Sequence, residues 1–170
     1  MKEEVTYNGL TFEPYITRKQ IQERVEAIAR EISEEFQGAR PLLVCVLNGA
    51  FPFASELFMN LDTDAEISFI RLKSYEGTST TGTVKEVMGL TDSIEGRPVV
   101  VVEDIVDTGN TIKRLVDDLG KRNPSTLRIA TLLMHPIVPR GTEKICDFMN
   151  FDFDEFFSWN YDFDSMEELC

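Results

Sequence analysis

The chain has 170 residues, of which 42% are hydrophobic and 28% are charged, as in ordinary globular domains. Its net charge of −13 argues against binding to nucleic acid or to an anionic membrane, because both are polyanions. Three scattered cysteines predict no disulfide framework, and neither a secretory signal nor a transmembrane run is recognisable. We therefore expect a single cytoplasmic domain with a sizeable core.

The apolar pattern predicts helices and strands in alternation. Residues 17–37 have the apolar period of a helix. Thr17 and Gln20 fit a capping box at its start, and Gly38 is the candidate C-terminal cap. Alternating strands and helices indicate a parallel sheet with helices on both faces. The further predicted elements are a strand at 41–47, a helix at 50–61, a strand at 65–72, a polar loop at 74–83, a strand at 84–90, a strand through 99–102, a helix at 111–120 and a strand at 127–134.

The strand at 99–102 runs into an unusual polar segment. Four valines are followed by Glu103, Asp104 and Asp107 and then by Thr-Gly-Asn-Thr, which opens the next helix. One carboxylate at this point would be an ordinary helix cap, but three of them beside such a turn are typical of a binding site. Backbone N–H groups and hydroxyls at a helix N-terminus bind phosphate, and Gly109 permits a positive φ.

Other polar residues follow the carboxyl ends of neighbouring predicted strands. In parallel sheets, ligands bind outside the carboxyl ends of the strands. This rule brings Asn48 and Gly49, which follow one strand, together with Glu103, Asp104 and His135, which follow two others. No Walker motif is present, so the phosphate is expected to be an anchor that neutral donors bind.

The segment EDIVDTGNT, residues 103–111, closely resembles the phosphoribosyl-pyrophosphate (PRPP) signature of type I phosphoribosyltransferases. The turn at 47–49 resembles the pyrophosphate loop of the hypoxanthine-guanine branch, and Leu72-Lys73-Ser74-Tyr75 resembles its mobile catalytic loop. The resemblance implies an α/β fold with a central parallel twisted sheet flanked by helices. It also implies one domain, with a core at about 17–135 and a small hood from about 1–16 and 136–170 over the active site.

In this family a purine base displaces pyrophosphate from C1 of PRPP and forms a nucleoside 5′-monophosphate. For hypoxanthine or guanine, the products are IMP or GMP, and the reaction belongs to purine salvage. The resemblance implies that Glu103 and Asp104 face the ribose hydroxyls, directly or through Mg²⁺. It makes Asp107, near purine N7, the acid/base candidate. The residues that would bind the 5-phosphate are Asp107, Thr108, Gly109, Asn110 and Thr111.

The resemblance also assigns the pyrophosphate side of the site. Leu47, Asn48 and Gly49 would bind pyrophosphate through backbone groups, and the family often has a cis peptide at the position of Leu47–Asn48. Ser74 and Tyr75 would close over the reaction centre and exclude water. Lys73 is expected either to contact pyrophosphate or a neighbouring subunit, or to be a solvated residue at a strand end.

The base side departs from the family pattern. The family usually has Lys after the strand that matches 127–134, where it donates to the 6-oxo group of the base, but here the residue is His135. A histidine can donate to a 6-oxo group or accept from a 6-amino group, depending on its tautomer. The aromatic side chains expected either to stack on the base or to pack within the hood are Phe156, Phe157 and Trp159.

The acidic tail also departs from the family. Asp162 matches the family's Mg²⁺-contacting aspartate, although a one-residue gap lets Asp164 compete for that position. The basic residue that follows in the family is absent, and Arg140 is the candidate to replace it. Three functions therefore stay open: transfer to hypoxanthine or guanine, transfer to a different base, and non-catalytic sensing of PRPP or a nucleotide. A homodimer or homotetramer is expected from the family.

Overall fold

A computed structural model of the chain describes residues 4–14, 16–73, 85–91, 93–106, 109–134 and 148–152. In these ranges the chain forms a hairpin and a six-stranded sheet flanked by helices. The elements, in chain order, are β1 (Val5–Tyr7), β2 (Leu10–Phe12), α1 (Arg18–Glu35), β3 (Leu42–Leu47), α2 (Phe51–Met59), β4 (Glu66–Lys73), β5 (Lys85–Met88), β6 (Pro98–Val106), α3 (Asn110–Gly120), β7 (Thr126–Met134) and β8 (Phe148–Asp152).

The six-stranded sheet has the order β5-β4-β3-β6-β7-β8. All neighbouring pairs from β4 to β8 are parallel, and only β5 runs antiparallel to its neighbour β4. The central strands β3 and β6 are nearly continuous runs of apolar residues, as expected for strands that are covered on both faces. The predicted α/β fold with a parallel sheet flanked by helices is thus confirmed.

Two apolar layers hold the helices on opposite faces of the sheet. The valines of β6 alternate between them: Val100 and Val102 pack with α1 and α2, whereas Val99 and Val101 pack with α3. All four side chains are fully buried. Since a buried valine contributes roughly 1.5–3 kcal/mol relative to an exposed one, this strand anchors both layers.

The first helix begins as its sequence predicts. Thr17 is the N-cap, its hydroxyl accepts from the Gln20 backbone N–H at 3.3 Å, and the Gln20 side chain accepts from the Thr17 N–H at 2.9 Å. Gly38 has a φ of 74°, but it lies two residues beyond the C-cap residue, Phe36. The capping box is confirmed, and the helix ends slightly earlier than predicted.

The main difference from prediction inside the sheet is the length of β6. The strand does not end before Glu103 but continues to Val106, because it keeps pairing with β7 as far as Met134. Glu103 and Asp104 therefore lie within the last part of a strand, which restricts their backbone more than a loop would.

Two further elements were not predicted. Asn8 and Gly9, with φ of 48° and 77°, form the turn of the β1–β2 hairpin, as expected for an Asn-Gly hairpin turn. Strand β8 lies in the range assigned to the hood, yet it pairs with β7 and extends the main sheet. The remainder of 136–170 lies outside the described residues, so the boundaries of the hood stay a prediction.

Ion pairs join the amino ends of the strands. The Arg97 guanidinium, just before β6, contacts the Glu66 carboxylate at the start of β4 at 2.8 Å, and Arg40 contacts the same carboxylate at 3.1 Å. These contacts bridge β4 and β6 across β3, which lies between them. The amino ends are thereby held together. None of the described helices has the length and apolar composition needed to cross a membrane.

Replacement of Thr17 by alanine should lower the free energy of unfolding by about 1 kcal/mol, because the first turn of α1 loses its side-chain cap. Urea unfolding followed by circular dichroism measures this change. Thr91→Ala, at an exposed threonine outside the helices and strands, is the matched control and should leave the free energy unchanged. An equal effect of the two substitutions would contradict a capping role.

Candidate active site

The two central strands separate at their carboxyl ends. Strands β3 and β6 pair from Leu42 and Val99 only as far as Cys45 and Val102, although both strands continue. The last residues of β3 pair with β4 instead, and the last residues of β6 pair with β7. Helices α2 and α3, which follow these strands, cover opposite faces of the sheet. A crevice therefore opens at the switch point of the topology, where open α/β sheets bind ligands.

The turn on the β3 side of this crevice is formed by the end of β3 and the start of α2. The peptide bond Leu47–Asn48 is cis, as the family resemblance implies. The backbone carbonyl of Asn48 accepts from the Phe51 N–H at 3.3 Å, and the N-cap residue Ala50 makes no side-chain capping bond. The turn at 48–50 thus joins the carboxyl end of β3 directly to α2.

The β6 side of the crevice carries the predicted acidic pair. Glu103 and Asp104 are both partly buried. The Asp104 carboxylate lies directly against Gly49: a Cβ atom built on Gly49 would be only 2.9 Å from the Asp104 carboxyl carbon. The prediction that these two segments share one edge of the sheet is confirmed by this contact.

Burial strongly perturbs the carboxyl group of Glu103. Loss of solvent, followed by the hydrogen bond and the negative charge of Asp104, raises the pKa of Glu103 to about 8. Cys45 lies fully buried in the core near the pair, and burial together with the charges of Glu103 and Asp104 raises the pKa of its thiol to about 11. The raised pKa favours the protonated form of Glu103 when no cation is nearby.

The pair fits a divalent cation that arrives with its ligand. Within the described ranges, no group of three or more His, Cys, Asp or Glu side chains forms a cage for a metal ion. Mg²⁺ rarely needs such a cage, because it binds one or two carboxylates and completes its shell with water and substrate phosphates. Two adjacent, partly buried carboxylates are a suitable donor set, since a cation offsets their mutual repulsion.

The third segment of the site is the N-terminus of α3. Gly109 is buried and adopts the left-handed conformation, with φ of 73°, as predicted from its place in the turn. Asn110 begins α3, and Thr111 lies exposed in its first turn. The N-cap residue Gly109 makes no side-chain capping bond, and a helix N-terminus is a position that favours an anion.

Several predicted site residues lie outside the described residues. Lys73 is the last residue of β4, and its backbone alone is described. The predicted site residues that lie outside the described residues are Ser74, Tyr75, Asp107, Thr108, His135, Phe156, Phe157, Trp159 and Asp162.

The sequence analysis missed one residue near the acidic pair. Ile105, with 45% of its surface exposed, is an apolar side chain near the carboxyl end of β6. Its position between two acidic residues of the motif was the available signal.

The fold agrees with that of known proteins to which the chain is similar. The family model described as "Phosphoribosyl transferase domain" matches residues 16–166. The hypoxanthine-guanine phosphoribosyltransferase of Bacillus subtilis is 35% identical over 153 residues, which are 89% of this chain and 84% of that protein. The crystal structure of a hypoxanthine-guanine phosphoribosyltransferase from Bacillus anthracis superposes with a TM-score of 0.73 at 36% identity, covering 81% of each chain.

The chain therefore belongs to the phosphoribosyltransferase family, with the type I fold. Within that family it falls in the hypoxanthine-guanine branch. A longer relative, the bifunctional protein TilS/HprT of Listeria monocytogenes, is 39% identical over 137 residues. These residues are 80% of this chain but only 21% of that protein, so the chain spans about a fifth of the length of this relative.

The raised pKa of Glu103 makes a prediction about stability. A carboxyl group with a folded-state pKa of about 8, above its unfolded value of 4.5, stabilises the fold fully below pH 4.5 and loses this contribution as pH rises towards 8. Glu103→Gln should therefore remove part of the fall in unfolding free energy between about pH 5 and 8. Urea unfolding of the metal-free protein across this range measures it.

The matched control for this experiment is Glu31→Gln, at an exposed position of α1. It should leave the slope of unfolding free energy against pH as in the wild type. If Glu103→Gln also leaves the slope unchanged, Glu103 titrates near its ordinary value and the account of the acidic pair is wrong.

Proposed function

We propose that the chain transfers the phosphoribosyl group of PRPP to hypoxanthine or guanine, forming IMP or GMP and pyrophosphate in purine salvage. The observation that carries this proposal is the contact between Gly49 and Asp104. It joins the turn proposed for pyrophosphate to the carboxylates proposed for the ribose, and both belong to one crevice. The family membership of the chain supports the same reaction.

Each described segment has a part in this proposal. The N-terminus of α3, from Gly109 to Thr111, binds the 5-phosphate and anchors the sugar. Glu103 and Asp104 bind the ribose hydroxyls and Mg²⁺, while the turn at Asn48 and Gly49 binds pyrophosphate through its backbone. Bound Mg²⁺ would offset the charge of the departing pyrophosphate. Together these segments orient C1 of the sugar for attack.

We assign the proton transfer and the exclusion of water to residues outside the described ranges. Asp107 is proposed to exchange a proton with N7 of the base, as the family resemblance implies. Ser74 and Tyr75 are proposed to exclude water from the developing oxocarbenium ion, and Lys73 to contact pyrophosphate. Asp162 is proposed as a further Mg²⁺ contact.

A different base specificity is the second candidate function, because His135 stands where the family has Lys. A site with a buried polar group discriminates strongly between bases that pair with it and bases that leave it unpaired. Phe156, Phe157 and Trp159 are proposed to stack on the base, and a homodimer or homotetramer is proposed as the assembly. The cytoplasmic location stays a prediction.

The reaction is tested by measuring pyrophosphate release from PRPP and Mg²⁺ with hypoxanthine, guanine, xanthine and adenine. We expect turnover with hypoxanthine or guanine, and loss of turnover when Mg²⁺ is removed by a chelator. Turnover with adenine alone would favour the second candidate. Binding of PRPP without turnover of any base would contradict both and favour a sensing role.

The role of Asp107 is tested by Asp107→Asn, which preserves size but removes the acid/base group. We expect kcat to fall by about 10²–10⁴, while the Kd for PRPP, measured by calorimetry, changes little. The matched control is Asp117→Asn, at an exposed position of α3, which should leave both quantities unchanged. Equal losses of kcat and PRPP affinity would show that Asp107 acts only in binding.

The role of His135 is tested by His135→Lys, which restores the family residue. If His135 contacts the base, the ratio of kcat/KM for hypoxanthine to that for adenine should rise by about tenfold or more, since Lys only donates hydrogen bonds. His135→Ala is the companion variant and should lower kcat/KM for every base. An unchanged ratio in His135→Lys, together with unchanged kcat/KM values in His135→Ala, would place His135 away from the base.

A further inference from the structure

A glycine at position 49 has two possible physical reasons: a positive φ, or a lack of space for a side chain. A glycine is often required where φ is positive, but Gly49 is not among the residues with a positive φ. Its backbone conformation is thus one that any L-residue adopts. A reason for glycine at this position therefore has to be sought in the space around the Cα atom.

The space beside the Cα atom of Gly49 is occupied by one group. The three atoms nearest to a built Cβ all belong to the Asp104 carboxylate, with the carboxyl carbon at 2.9 Å and Oδ1 at 3.0 Å. Real Cβ atoms essentially never approach another atom this closely, so a side chain at 49 would displace the carboxylate. The Asp104 side chain is short and can rotate away, which moves the carboxylate without unfolding the protein.

We propose that Gly49 is a positioning residue: the missing side chain forms a seat for the Asp104 carboxylate and sets its place relative to the pyrophosphate turn. This inference rests on the proposed function for its catalytic consequence. The turn that binds the leaving group and the carboxylate that binds the sugar then move as one unit. A displacement of about 1 Å in such a unit is enough to cost a large factor in rate.

A rival explanation is that glycine is required only so that pyrophosphate can approach the backbone. The two explanations differ in whether Asp104 matters for the effect. A double-mutant cycle separates them, using Gly49→Ala, Asp104→Ala and the double variant. Asp104→Ala removes the carboxylate and leaves room for a Cβ at position 49.

The first readout is thermal unfolding without any ligand. We expect Gly49→Ala to lower Tm in the wild-type background, where the Cβ meets the carboxylate. In the Asp104→Ala background the same change should raise Tm by about 1–4 °C, because alanine restricts the unfolded chain at an allowed φ. Equal lowering of Tm in both backgrounds, or failure of both Gly49→Ala variants to fold, would contradict the proposal that Gly49 makes room for the Asp104 carboxylate.

The second readout is steady-state kinetics with PRPP and the preferred base. Gly49→Ala in the wild-type background should lower kcat/KM for PRPP about tenfold to a hundredfold, with KM for the base little changed. The matched control is Gly120→Ala, because a Cβ at Gly120 meets no atom within 4 Å. Wild-type kinetics in Gly49→Ala would overturn the positioning role.

The two readouts also distinguish the failure of this inference from the failure of the proposed function. If the wild-type protein has no phosphoribosyltransferase activity, the proposed function fails, while the sign of the Tm change still tests the contact. If the wild-type protein is active and the Tm change is equal in both backgrounds, the positioning role of Gly49 is wrong and the proposed function stands.

Discussion

The site depends on one constraint, the separation of β3 and β6 after Cys45 and Val102. Each strand keeps its outer neighbour to its end, and each is followed by a helix that packs on a different face. At their amino ends β3 and β6 are paired, and the ion pairs of Glu66 join β4 to β6 there, whereas the carboxyl ends of β3 and β6 diverge. The parallel topology therefore makes the crevice, and the polar residues only line it.

Burial then gives these polar residues their chemistry. The same valine-rich strand that anchors both apolar layers places Glu103 next to the core, with the buried thiol of Cys45 nearby. Loss of solvent at this position, followed by the hydrogen bond and the negative charge of Asp104, raises the pKa of Glu103 to about 8. A cation beside the pair would favour the ionised form of Glu103, so cation binding and release of a proton from Glu103 are linked.

Much of this architecture was readable from the sequence. The capping box of Thr17 and Gln20, the alternation of helices and strands and the left-handed Gly109 were all predicted and confirmed. The hairpin was missed although Asn8 and Gly9 are a strong turn signal, because the flanking strands have only three residues each.

The features that were not predicted depend on long-range packing. Whether β5 runs parallel or antiparallel cannot be read from a four-residue strand, and β8 has a mixed sequence without a clear period. The contact between Gly49 and Asp104 joins residues that are far apart in the chain, and it exists only because β3 and β6 are neighbours with a particular register. The pKa of Glu103 likewise depends on burial, which local sequence does not specify.

The central claim is that the crevice between the carboxyl ends of β3 and β6 binds the phosphoribosyl donor through Glu103 and Asp104. It is tested most directly by a crystal structure with PRPP, in which Mn²⁺ replaces Mg²⁺ and is located by anomalous scattering. We expect the 5-phosphate at the N-terminus of α3, and the ribose hydroxyls or the Mn²⁺ peak in contact with the carboxylates of Glu103 and Asp104. A PRPP molecule bound elsewhere, with no manganese in the crevice, would contradict it.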